Sequence, residues 1–269
     1  MQGLKFTHST VNPDAPVAFC SFAAMHTKME ILFVESDRVK AESLSRKSQS
    51  AVTALERSLS RHIPGTDLFK LNRSREMTGV DDTLYFALEL CERMRCATQG
   101  YFDIAALSPS RFRPAYVTEP STHSVRREDG EITLDLGGFA KGFALEKLRE
   151  FFTEEGITAA LFNFGDSSVL GIGHHPFGEY WSISPAKGCG EFRLNDSALS
   201  ISGRARGGRD HIIDPATGQY ASKARSVAVS GRSALVCEIL STALYAAPAE
   251  KWKEILSSFK DYETRELNQ

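Results

Sequence analysis

No stretch of this sequence approaches the roughly 20 apolar residues that a membrane span needs. Its first residues, MQGLKFTHSTVNPDAPVAFC, have no apolar core of signal-peptide length either. The run VAFC ends at Cys20 in the manner of a lipoprotein site, but Phe19 is too bulky for the small residue such a site requires. Pro13 and Asp14 also break the segment before it. The five cysteines, Cys20, Cys91, Cys96, Cys189 and Cys237, are odd in number and scattered, with no C-x-x-C pair. Disulfides and cysteine-bound zinc are therefore not expected, and a reducing cytoplasm is. Charge of one sign is lacking too: 32 Lys and Arg against 34 Asp and Glu leave a formal −2. That balance offers no basic face for nucleic acid. Internal repeats are absent, and no membrane partner is expected.

What remains is an ordinary globular composition, 42% hydrophobic and 25% charged over 269 residues. Residues 17–34 read as two short strands around a turn near Met25-His26-Thr27. Val52, Leu55 and Leu59 fall at helical spacing within Ser48 to Ser60, before Pro64 and Gly65 stop the helix. Asp81 and Asp82 offer N-caps for a longer helix, with Leu84, Leu88, Cys91 and Arg95 on one stripe, ending at Gln99-Gly100. Residues 108–130 read as a long, charged connection. Glu131 to Leu136 alternates like a half-buried strand, and a helix follows Gly137-Gly138. Further strands are expected in ITAALFNFG, SVLGIG, YWSIS, EFRL, SALSISG and SVAVSG, with helices from Ser233 to Ala246 and around Trp252 to Phe259. Strands and helices mix without strict βαβ alternation, which argues for an α+β fold in a single domain spanning 1–269.

Three blocks could carry chemistry. In LDLGGFAKG, Leu134 to Gly142, glycines between a strand and a helix let backbone approach a ligand, and a helix N-terminus favours an anion. Lys141 adds a cation there. The spacing is neither the Rossmann nor the P-loop pattern, and a plain tight turn remains an alternative. In SGRARGGRDHIIDPATG, Arg204, Arg206 and Arg209 suit a diphosphate, and His211 can shuttle protons. The alternative is a polar surface loop in which Asp214 caps a turn. In CEILSTALYAA, Glu238 and Thr242 share a helix face at i and i+4 and offer oxygens suited to Mg²⁺. The alternative is a solvent-facing Glu with Thr242 bonded to its own turn. His174-His175, with no carboxylates at ligand spacing, reads as a surface turn before Pro176.

Taken together and in order, these blocks resemble the ApbE family of flavin transferases, formerly described as thiamine-biosynthesis lipoproteins. ALERSLSRHIPGTDLFKLN (Ala54 to Asn72), QGYFDIA (Gln99 to Ala105), LDLGGFAKGFALEKL, FNFG, HIIDPATG and VCEILSTAL all find counterparts over nearly the whole chain. The resemblance implies a single α+β unit of two lobes with a flavin cleft between them. It implies an enzyme that takes FAD as substrate, cleaves its pyrophosphate with Mg²⁺, releases AMP and moves FMN to a Thr or Ser hydroxyl of an acceptor flavoprotein. By the same resemblance, Glu238, Thr242 and the carbonyl of Ala140 would hold the metal, and His211 would lie near the reacting phosphate. Met25, Asp103, Gly137, Gly138, Lys141, Ser202 and Asp214 would lie near FAD. The family resemblance names neither the acceptor nor an oligomeric state.

Three positions depart from the family pattern. His26 stands where Met-Gly-Thr has Gly, Asp166 where a second Gly is expected after Gly165, and Glu238 where the metal aspartate is usual. These leave open an FAD pyrophosphatase, an FAD binder without turnover, or a retained fold with a lost flavin site. Many relatives are lipid-anchored outside the cytoplasm, so the sequence as it stands leads us to expect a cytoplasmic member or a chain trimmed before Met1.

Overall fold

Alternation in VAFCSFAA and TKMEILFV builds the first hairpin of the computed structural model, which describes residues 3–108, 114–185, 189–203, 211–221 and 225–268. After β1 (Lys5–Ser9), strands β2 (Val17–Ala24) and β3 (Thr27–Val34) bury Ala18, Cys20, Phe22, Met29, Ile31 and Phe33 on one face. Helix α1 (Arg38–Leu59) begins ten residues before the apolar spacing suggests. Its first turns look polar, yet Ser45 and Ser48 are buried because their hydroxyls donate to Ala41 O and Leu44 O. Asp37 caps its start through the amides of Val39 and Lys40.

Next come α2 (Asp67–Leu71), β4 (Glu76–Met77) and α3 (Asp82–Ala97), the last capped by Asp81 as expected. The segment read as a long connection instead contains β5 (Tyr116–Glu119) and β6 (Ser124–Arg127), which form a three-stranded sheet with β4. Its charge misleads because Arg127 is buried, donating to the carbonyls of Ser74, Gly130 and Ile132. Residues 131–136 bury Ile132, Leu134 and Leu136 in the expected alternation but join no ladder. Side chains supply several of their partners: the Asn72 amide bonds both N–H and C=O of Leu134, and Ser108 Oγ accepts from Thr133, while the Asp135 amide donates to Ile104 O.

The second half supplies α4 (Ala140–Glu154), β7 (Ala160–Phe164), β8 (Ser168–Ile172), β9 (Trp181–Ile183), β10 (Phe192–Leu194) and β11 (Ser197–Ser202). Then follow β12 (Ile213–Asp214), β13 (Gln219–Tyr220), β14 (Arg225–Gly231), α5 (Ala234–Ala246), α6 (Ala249–Leu256) and β15 (Glu263–Asn268). Phe259 lies beyond α6, and β15, too polar to announce itself, adds an edge strand. The main sheet runs β1-β2-β3-β7-β8-β11-β14-β15 with every neighbouring pair antiparallel, confirming the α+β class. Among the described residues, no helix is long and apolar enough to cross a membrane.

Helix α5 joins two cores. Leu240 and Leu244 pack with Phe33, Phe152 and Phe162 beneath the sheet, while Leu235, Ile239 and Ala243 pack with Leu84, Leu88 and Phe139 beside α3. Eleven of its thirteen residues are buried, the pattern of a helix enclosed on all sides. It lies close to α4 at Gly142, where a Cβ would stand 2.8 Å from Ala234 O and Leu235 Cα and 2.9 Å from Glu238 Cβ. Within a helix Gly→Ala gains up to about 1 kcal/mol from helix propensity, and Gly142 is the third residue of α4. Here overpacking against backbone reverses the sign, so Gly142→Ala is expected to lose about 1–3 kcal/mol in chemical denaturation.

Candidate active site

A cavity of about 1050 Å³ is walled by segments from both cores. The β2–β3 turn supplies Met25 and His26, the segment after α1 supplies Arg61 and His62, and the chain after α3 supplies Asp103. Gly137, Gly138, Ala140 and Lys141 come from the turn into α4, Asp166 from the β7–β8 turn, Ser200 and Ser202 from β11, and Glu238 and Thr242 from α5. His211, exposed on the wall, is carried by Ile212, which is buried in the first core.

Two turns on this rim are strained. Pairing of Ala24 with Thr27 leaves a two-residue loop, and Met25 and His26 adopt φ of 48° and 60° to close it. Such turns favour Asn and Gly, so the bulkier pair is held by the ladder around it. Nearby, Gly165 and Asp166 have φ of 69° and 59°. Gly165 admits no side chain, since a Cβ would lie 2.7 Å from Thr27 Oγ1. The His26 and His62 rings meet edge to face at 6.0 Å between centroids.

Asp135 organises the glycine turn. One oxygen accepts the Gly137 amide at 2.9 Å, and the other accepts Arg61 Nε at 2.8 Å. No side chain caps the N-terminus of α4, whose first residues line the cavity. Gly138 lies against Thr242, its hypothetical Cβ 3.3 Å from Oγ1, so this segment runs along the α5 face that bears Thr242 and Glu238. Glu238 is 3% exposed, the one buried acid among the described residues. Its Oε1 pairs with Lys141 Nζ, and its Oε2 accepts from Ser168 Oγ. Beside it, Ser202 Oγ lies 2.9 Å from Ser241 Oγ and 3.4 Å from Thr242 Oγ1, and Ser241 Oγ lies 3.1 Å from Ser200 Oγ.

The fold thus places Met25, Asp103, Gly137, Gly138, Ala140, Lys141, Ser202, His211, Glu238 and Thr242 around one cavity. Asp214 is not among the lining residues. Its carboxylate instead caps the following turn, accepting from the Ala216 amide at 2.8 Å and Thr217 Oγ1 at 3.2 Å. Arg204, Arg206 and Arg209 lie outside the described residues. Glu238 cannot face solvent because α5 is buried all round. Arg61, His62, Asp135 and Ser168 also line the cavity or hold its walls. Asp135 sits inside the LDLGG block and could have been found there, whereas no local pattern marks Ser168.

Burial raises the Asp103 carboxyl above its ordinary range, against the Ala105 amide and the Arg95 charge, which lower it. A raised folded pKa means that the fold binds the proton more tightly than the unfolded chain does. Stability from this group is present at low pH and falls as pH rises from about 3.9 through the raised value. Asp103→Asn, which keeps an oxygen for the Ala105 amide, is therefore expected to melt above the parent at pH 7. Melting curves should show that gap narrowing toward pH 4.

Among the described residues, no group of three or more His, Cys, Asp or Glu is placed to hold a metal ion. Residues 25–265 match the sequence pattern of the ApbE family. An FAD:protein FMN transferase of Klebsiella pneumoniae (strain 342) is 21% identical over 95% of this chain and 86% of its own length. Among solved structures, flavin transferase ApbE of Vibrio cholerae superposes with a TM-score of 0.75 at 17% identity, over 98% of each chain. The ApbE protein of Thermotoga maritima gives 0.77 at 21% identity, over 97% of this chain and 93% of its own. The apo flavinyl transferase ApbE of Pseudomonas stutzeri gives 0.78 at 18%, over 94% and 96%. The matched span takes in every residue that lines the cavity, from the Met25 turn to Thr242, and the chain belongs to the ApbE family.

Proposed function

We propose that this chain is an FAD:protein FMN transferase, moving FMN from FAD to a Thr or Ser hydroxyl of an acceptor flavoprotein and releasing AMP. One observation carries the reading: α5 presents Glu238 and Thr242 to the same cavity that holds the Gly137-Gly138 turn, Lys141 and His211. The cavity, at about 1050 Å³, exceeds the range of about 300–1,000 Å³ usual for smaller ligands and has room for a dinucleotide. The activity carried by the Klebsiella pneumoniae relative supports the same reading.

Mg²⁺ is implied by the family resemblance, and the donor set suits it. Glu238 offers one carboxylate, Thr242 a hydroxyl and Ala140 a backbone carbonyl, all hard oxygens of residues that line the cavity. Mg²⁺ sites commonly combine one or two carboxylates with substrate phosphates. When bound, such an ion supplies charge neutralisation and Lewis-acid polarisation of the diphosphate.

The chain's own residues do the rest. Lys141 and the uncapped α4 N-terminus bind the diphosphate, as an ammonium and aligned amides suit phosphate oxygens. Asp135 orients the turn that presents them, through the Gly137 amide. His211, with its imidazole free to meet an incoming group from solvent, takes the proton from the acceptor hydroxyl. The acceptor oxygen bonds to the FMN phosphorus as the bond from that phosphorus to the bridging oxygen breaks, and AMP leaves with that oxygen. The exposure of His211 favours one second reading, in which water replaces the acceptor and the products are FMN and AMP.

Purified chain incubated with FAD, Mg²⁺ and an acceptor is expected to release AMP and yield covalent flavin on the acceptor. AMP release with FMN left free would favour the hydrolase, and neither product from FAD-binding protein would overturn both. His211→Ala should cut turnover about 10²–10⁴-fold while FAD affinity, read by flavin fluorescence, changes little.

A further inference from the structure

We infer that the Lys141 ammonium is the resident counter-ion of Glu238, and that it must leave before a divalent cation can reach that carboxylate. Lys141 thereby sets how weakly the chain binds a cation when no phosphate ligand is present. The inference rests on the reading of Glu238 and Thr242 as cation ligands given above.

Glu238 is buried, a place where a carboxylate is costly unless its oxygens are partnered, and both are taken, by Lys141 Nζ and Ser168 Oγ. The partners differ in freedom. Glu238 is anchored on α5 by the close approach of Gly142, and its side chain is 4% exposed. Lys141 ends a flexible four-carbon stem in the first turn of α4, and its side chain is 21% exposed. The lysine can swing and the carboxylate cannot. An ammonium and a divalent cation on the same Oε1 repel each other, so entry of one requires departure of the other. Leaving is unfavourable unless the ammonium finds another anion within reach. A diphosphate at the uncapped start of α4 is such an anion, because Lys141 belongs to that turn. The phosphate ligand draws the lysine away and opens Glu238 to the cation. By linkage the cation favours the phosphate ligand equally, with coupling typically about 5–150-fold.

A phosphate-bridged cation alone would also bind synergistically with the ligand, so the decisive measurement is cation binding without any phosphate. Mn²⁺ serves as probe, with the free ion counted by electron paramagnetic resonance on the full chain. The parent and Lys141→Arg are expected to bind it weakly. Lys141→Met, which releases the carboxylate, should bind it at least about fivefold more tightly, within the usual range of coupling. Lys141→Gln keeps an amide donor for Oε1 without charge, guards against misfolding from an unpaired Glu238, and should shift in the same direction. Glu238→Gln should abolish the gain when combined with Lys141→Gln. Equal Mn²⁺ affinity in the parent and in folded Lys141→Gln would overturn the inference. Mn²⁺ failing to bind any of these chains even with FAD present would instead remove the cation reading on which it rests, and the inference with it.

Discussion

The close approach of α4 and α5 at Gly142 is the constraint from which the cavity follows. A helix enclosed by two cores normally carries only apolar side chains, and α5 nearly does. Its one charged residue, Glu238, sits beside the contact that no Cβ could enter. The packing that stabilises the fold therefore also delivers a carboxylate to the first turn of α4, where Lys141 meets it. Separate the helices by the width of a methyl group and the ion pair, the Gly138–Thr242 contact and the wall they form would all loosen together. Packed interiors have few voids to absorb such a shift.

The opposite rim is held by a different device. Strands β3 and β7 are neighbours, so the turns that precede one and follow the other lie at the same end of the sheet. Their hydrogen-bonding registers, not their side chains, demand left-handed residues at 25, 26 and 166. Gly165 answers that demand without strain; Met25, His26 and Asp166 do not. Each strained residue costs of order 1–3 kcal/mol and persists because the ladders on either side over-determine the backbone. What the chain gains there is side-chain chemistry: a thioether, an imidazole and a carboxylate at the mouth of the cavity.

Much of this was legible before any coordinates. Periodicity located the first hairpin, α3 and α4, because each buries one clear face, while α5 and β8 stood out as apolar runs because they are enclosed. The Gly137-Gly138 block and the i, i+4 spacing of Glu238 and Thr242 also pointed to the cavity wall. Illegible parts share a physical cause, namely that their burial is bought with polar partners. Ser45 and Ser48 bond their own helix, Arg127 satisfies three carbonyls, and residues 131–136 take hydrogen bonds from Asn72 and Ser108 in place of a strand. No local pattern announces the pairings of Arg127 with Ser74 or of Leu134 and Thr133 with Asn72 and Ser108, and none marks the two serines as buried. Asp214 takes the alternative read for it, since a carboxylate in a motif can be engaged by its own turn.

The balance of charge on the wall decides what a dinucleotide meets on entry. Among the described lining residues stand five acids, Glu56, Asp103, Asp135, Asp166 and Glu238, against two permanent cations, Arg61 and Lys141. Both cations are already paired, Arg61 with Asp135 and Lys141 with Glu238. A diphosphate would therefore meet no idle positive charge from these residues and would add its own negative charge to an acidic wall. Beyond the amides at the uncapped start of α4, attraction from these residues must come from breaking an existing pair or from a cation that arrives with the ligand. Breaking the Arg61–Asp135 pair would disturb the carboxylate that holds the Gly137 amide, and with it the turn that receives phosphate. Breaking the Lys141–Glu238 pair disturbs no backbone bond and exposes a carboxylate able to hold the arriving cation. The second route is the less costly, and it makes phosphate recognition and cation recognition two halves of one exchange.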